Sequence, residues 1–134
     1  MTESSGVEPD HPAPGWEISP GDRVWFGGHN TEAKRVVEQF LHGTTRPPQG
    51  PIDAAFVVPQ STDEAHYFVA KLRDRLLPTS RVWLVIAKPD SPLRNDLDIC
   101  AEDLQQAMIR TGFSEIGAVT LSEDFTSLGY RPPA

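Results

Sequence analysis

Cys100 is the chain's only cysteine, so no disulfide can close within it. The thiol falls among apolar residues of a predicted helix, where a buried structural role is expected. No apolar run approaches the roughly 18 residues that a membrane-spanning helix requires, which excludes a membrane partner of that kind. The opening stretch MTESSGVEPDHPAPG has no lysine or arginine and no apolar signal-peptide segment, so a cytoplasmic location is expected. It carries three acidic residues, three prolines and almost nothing large and apolar. Such a segment cannot offset its own ordering entropy. Residues 1 to 15 are therefore expected as a flexible tail, and 16 to 134 as one domain. Positive charge is scarce too: 12 lysines and arginines against 19 acids give a net charge of -7, which disfavours nucleic acid and anionic lipid. None of the four histidines has a partner at metal-ligand spacing, so no metal site is expected.

What the chain does have is an alternation of short extended runs and helical patterns. Pro20, Gly21 and Asp22 form a turn before a strand over residues 23 to 26. Asn30 or Thr31 can cap a helix in which Ala33, Val36, Val37, Phe40 and Leu41 share one face. The proline-rich stretch 44 to 51 is a connection, because proline lacks a ladder donor. Two continuous apolar runs, IDAAFVV (52 to 58) and RVWLVIA (81 to 87), have the form of strands buried on both faces. Between them Ser61 and Glu64 make a capping box for a helix with Ala65, Phe68, Val69, Leu72 and Leu76 inward, ended by Pro78. A third helix begins near Asp96 or Asp98, buries Cys100, Leu104, Ala107 and Met108, and stops at Gly112 with Phe113 as its apolar closing contact. SEIGAVTL and TSLGYR read as an antiparallel hairpin. The order implies an α/β, Rossmann-like sheet of about five strands, mostly parallel, with a C-terminal antiparallel hairpin and about three helices in two or three layers.

Open α/β sheets bind ligands at the C-terminal ends of their parallel strands. That rule groups Gly27, Gly28, His29, Asn30, Lys88, Asp96, Asp124 and Ser127 as the candidate ligand-binding rim. The glycines can admit a phosphate or adenosine to backbone amides, or they can serve only to turn the chain. His29 has the reach of an acid or base, and equally suits a solvated or capping position. Lys88 can neutralise an anionic ligand, or pair with Asp90, Asp96 or Asp124 to hold its loop. Asp96 and Asp98 suit helix caps, and Ser127 has no histidine in an evident triad relation.

The second half of the chain resembles the class I S-adenosylmethionine-dependent methyltransferases. IDAAFVV looks like that family's fourth strand, LLPTSRVWLVIAKP like its "LkPGGrLwv" segment, RTGFSEIGAVTL like its "aGF" approach to the sixth strand, and SEDFTSLGYR like the returning seventh. More narrowly, residues 18 to 131 resemble DUF3052, a group of small bacterial proteins of unknown function. The matching residues are Pro20, Gly21, Arg23 and Val24; Pro51, Ile52 and Asp53; Lys88, Asn95, Asp96 and Leu97; and Asp124, Phe125, Ser127 and Leu128. The methyltransferase resemblance implies a site for S-adenosylmethionine, but the residues that would hold it depart from the pattern. GGHN lacks the alternating "E/DxGxGxG" spacing, strand two with its ribose-binding acid is missing, and Pro78, Thr79 and Ser80 replace "PGG".

Loss of the second and third strands has a topological consequence. Right-handed crossovers between neighbouring parallel strands would place all three helices on one face and leave the other bare. Either the Trp16, Glu17 and Ile18 segment or a second subunit must then cover it, so a homo-oligomer or protein partner is expected. The leading expectation is a non-catalytic, degenerate methyltransferase-like binding or regulatory module with no cofactor. The alternatives are a minimal S-adenosylmethionine-dependent methyltransferase and a sensor of an anionic small molecule. A receiver-type phosphorylation domain would need a carboxylate ending the middle strand, and IDAAFVVPQ has none.

Overall fold

The two continuous apolar runs occupy the middle of a five-stranded sheet, where both faces need cover. A computed structural model describes Trp16 and residues 18–28, 31–41, 43–88, 101–122 and 124–133. In chain order the elements are β1 (Val24–Gly28), α1 (Thr31–Glu38), β2 (Ile52–Val58), α2 (Thr62–Leu72), β3 (Leu76–Ala87), α3 (Ala101–Arg110), β4 (Ser114–Thr120) and β5 (Phe125–Arg131). The strands lie in the order β1-β2-β3-β5-β4, the first three parallel and β5 antiparallel to both neighbours. The expected hairpin therefore inserts its second strand beside β3, leaving β4 at the edge.

Alternation along the central strands sorts their side chains into two cores. Ala54, Phe56 and Val58 of β2, with Trp83 and Val85 of β3, meet Trp16, Ile18 and the α1 residues Ala33 and Val37. Ala55 and Val57, with Val82, Leu84 and Ile86, meet Ala65, Val69 and Leu72 of α2 and Leu104 and Met108 of α3. The result is three layers, and the expectation of three helices on one face is corrected: α1 lies opposite α2 and α3. Both crossovers step the same way across parallel strands, so helices on opposite faces give them opposite hands. The 13-residue connection after α1, residues 39 to 51, makes the first crossover the looser of the two, whereas α2 returns to β3 through a single 3-10 turn, Arg73–Arg75. The face expected to be bare is covered from within the chain, which removes the ground on which a covering subunit was expected.

Local signals account for the element ends. Ser61 Oγ accepts from Glu64 N at 3.1 Å, and Glu64 Oε1 accepts from Gln60 N at 2.9 Å, closing the capping box one residue early. Gly112 N donates to Ile109 O and Phe113 N to Met108 O, both at 3.0 Å, the paired bonds of a Schellman stop, with Gly112 at φ 96° and Phe113 buried. β3 begins five residues before its expected start, at Leu76. The register then slips, Ile52 facing Leu76 and Ala54 facing Arg81. Ser80 fills the irregularity: its buried hydroxyl accepts from Leu77 N at 2.7 Å and donates to Ile52 O at 2.6 Å. Cys100, Asp98 and the expected start of the third helix lie outside the described residues.

Candidate functional site

The register brings the ends of β1, β2 and β3 to one rim. Gly28 pairs with Val58, Ala87 pairs with Phe125, and Lys88 N donates to Asp124 O at 2.7 Å. Lys88 and Asp124 are therefore adjacent through the backbone, and both residues are half-buried. His29, Asn30 and Asp96 lie outside the described residues.

Gly27 and Gly28 differ from expectation. They are the last residues of β1, paired with Val57 and Val58, and do not form a loop after a shorter strand. Each has a reason for being glycine within the chain itself. A Cβ on Gly27 would come within 2.1 to 2.9 Å of the Trp25 ring, because residues two apart in a strand share a face and the indole folds over the bare backbone. Trp25 also packs at 5.7 Å from Phe68 of α2. Gly28 has φ 141°, and a Cβ there would meet the Val58 carbonyl oxygen at 2.4 Å. Left-handed backbone and close approach to β2 both select glycine at that position.

Ser127 is fully buried and turned into the core beside α1, away from the rim. Its hydroxyl accepts from Trp16 Nε1 at 2.9 Å and donates to Val119 O at 2.9 Å. Trp16 is also fully buried, with edge contacts to Phe56 and Phe40 at 4.7 and 5.7 Å between ring centres. The bonded hydroxyl thus anchors Trp16 to β5. Sequence spacing alone cannot join residues 111 positions apart.

Among the described residues, the best-connected ion pair is at the opposite rim. Arg23 Nε and Nη2 donate to Asp53 Oδ2 and Oδ1 at 3.0 Å each, and Arg23 N donates to Oδ2 at 2.8 Å. These bonds hold the Asp53 carboxyl below its usual range and push the Arg23 guanidinium higher still. Asp22 accepts from Ser19 N at 2.9 Å and lies 4.0 Å from Arg81. A cavity of about 340 Å³, lined by Arg73, Leu76, Phe113, Pro132 and Pro133, also opens at this end, away from the candidate rim. Among the described residues no three potential metal ligands come together, and no helix is long and apolar enough to cross a membrane.

The chain matches no protein-family model and none of the curated proteins, so its resemblance to DUF3052 stands on the sequence motifs alone. Solved structures do resemble it. A fibrillarin pre-rRNA processing protein of Methanococcus jannaschii superposes with a TM-score of 0.55 at 7% identity, over 88% of this chain and 70% of that one. LaPhzM gives 0.50 at 12% identity over 81% and 42%, and the B. subtilis m1A22 tRNA methyltransferase TrmK gives 0.45 at 10% identity over 81% and 49%. At such identities the likeness is one of fold, and this chain spans less than half of the latter two. The fold is α/β, Rossmann-like and methyltransferase-like.

Proposed function

We propose that this chain is a non-catalytic, methyltransferase-like module that acts through protein contacts. The observation that carries this reading is the use of both rim glycines inside the chain: the Trp25 indole covers Gly27, and the Val58 carbonyl abuts Gly28. A cofactor-cradling loop needs glycines whose amides face open space at a helix start. Here both belong to strand β1 and not to a loop at a helix start, the Gly27 backbone facing β2 and the Gly28 backbone lying at the strand's outer edge. Among the described residues the sheet also ends at β1, with no further strand outside it to bring a carboxylate toward a ribose. Lys88 beside Asp124 supports a second reading, a sensor of an anionic small molecule, since a lysine at a strand end suits an anion.

Thermal denaturation in the presence of S-adenosylmethionine, S-adenosylhomocysteine, inorganic phosphate and citrate separates these readings. The module reading expects no change in Tm from any of them. A rise of several degrees with phosphate or citrate alone would favour the sensor, and a rise with S-adenosylhomocysteine would favour the enzyme.

A further inference from the structure

Among the described residues, the outer edge of β1 is where main-chain bonding capacity goes unused. Val24 N donates outward to Thr45 O at 2.8 Å, and Asp53 N and Ala54 N donate to Arg23 O on the inner side. Backbone groups alternate along a strand, so those of Trp25 and Gly27 face β2 while those of Phe26 and Gly28 face outward. Among the described residues, β1 has β2 as its only strand partner, and the other side carries one isolated bridge, Arg23 with Thr45, at the start of the strand. The opposite edge is guarded: β4 carries a register slip between Glu115 and Gly117 and an exposed Glu115. A bulge and a charge on an edge strand discourage pairing. β1 has neither.

We propose that two copies of this chain associate by antiparallel pairing of their β1 edges across a two-fold axis at Gly27. This deepens, and rests on, the reading of the chain as a protein-contact module. With Gly27 opposite Gly27, Phe26 of each copy faces Gly28 of the other, and the outward donors and acceptors of those two residues form four main-chain bonds. This register leaves the Val24 and Thr45 bond intact.

Side chains fit the same register. On one face the half-exposed Phe26 ring lies opposite a residue without a Cβ, a pairing in which an aromatic ring covers bare glycine backbone. On the other face the half-exposed Trp25 indoles, already folded over Gly27, come together at the axis. Charge permits the contact as well. β1 carries no ionisable side chain, and the exposed residues of α1 beside it balance two acids, Glu32 and Glu38, against two bases, Lys34 and Arg35. Glu32 pairs with Arg35, and Lys34 Nζ lies 5.8 Å from the Phe26 ring centre. In a chain of net charge -7, this edge brings no net like charge together.

Sedimentation of the full chain from about 1 to about 100 μM, combined with residue-resolved hydrogen exchange at the two extremes, tests this. A concentration-dependent dimer is expected, with the Phe26 and Gly28 amides exchanging at least about tenfold more slowly in it and the Trp25 and Gly27 amides unchanged. A monomer throughout would overturn the proposal, as would a dimer in which the Phe26 and Gly28 amides exchange as in the monomer. These outcomes are independent of cofactor binding: a dimer that binds S-adenosylhomocysteine removes the non-catalytic reading and keeps the β1 pairing, and a monomer that binds none does the reverse.

Discussion

Arg23 holds Asp53 by two guanidinium bonds of 3.0 Å and a backbone bond of 2.8 Å, fastening the start of β1 to the start of β2. Both residues belong to the sequence motifs that suggested a family, and their geometry is structural. The pair lies at the rim opposite Lys88 and fixes the register that brings Gly28 beside Val58. Asp53→Asn keeps the shape and removes the charge, and should lower Tm by about 4 °C.

The same carboxylate sets an acid dependence. Its folded pKa lies below the unfolded value near 3.8, chiefly through the side-chain bonds to Arg23. The stability it contributes is complete above the unfolded value and is lost as pH falls through the folded one. Urea midpoints measured from about pH 6 to about pH 2 should fall more steeply for the native chain than for Asp53→Asn. Parallel curves would remove this role from Asp53.

Gly27 and Trp25 should be energetically coupled. Gly27→Ala forces the indole off the strand and is expected to cost about 1 kcal/mol, since a half-exposed ring can move at moderate expense. On a Trp25→Leu background the same substitution should be nearly neutral. A double-mutant cycle without coupling would mean that the ring does not lie over Gly27 in solution.

Tyr130 is fully buried, its hydroxyl has no hydrogen-bond partner among the described residues, and burial followed by the charge of Glu115 pushes its pKa up to about 12. The stability linked to its proton is complete below the ordinary value of 10.0 and is lost as pH rises from there through about 12. Tyr130→Phe should abolish that alkaline loss and raise stability at neutral pH by about 1 kcal/mol, because a desolvated hydroxyl is removed.

Most of the architecture was legible because its signals are local. Residues 54 to 58 and 82 to 87 have the unbroken apolarity of strands covered on both faces, Ser61 and Glu64 mark a helix start, and Gly112 marks a stop. The face on which α1 packs was not legible. Helices on opposite faces mean that the two crossovers differ in hand, and the right-handed rule read from sequence puts both on one face. The glycines at the end of β1 were expected in a loop and stand in the strand, although one signal was available: a tryptophan two residues before a glycine in a strand projects from the same face and can lie across it. Ser127 looked like a rim residue because its partner, Trp16, is at the far end of the sequence.

The central claim is that the glycines ending β1 serve the chain's own packing and no longer hold a cofactor. Isothermal titration calorimetry of the full chain with S-adenosylhomocysteine, and then with S-adenosylmethionine, tests it most directly. The account predicts only heats of dilution up to about 1 mM ligand. Saturable binding of one ligand per chain at micromolar Kd would contradict it and would place a working cofactor site at the rim of Gly28 and Lys88.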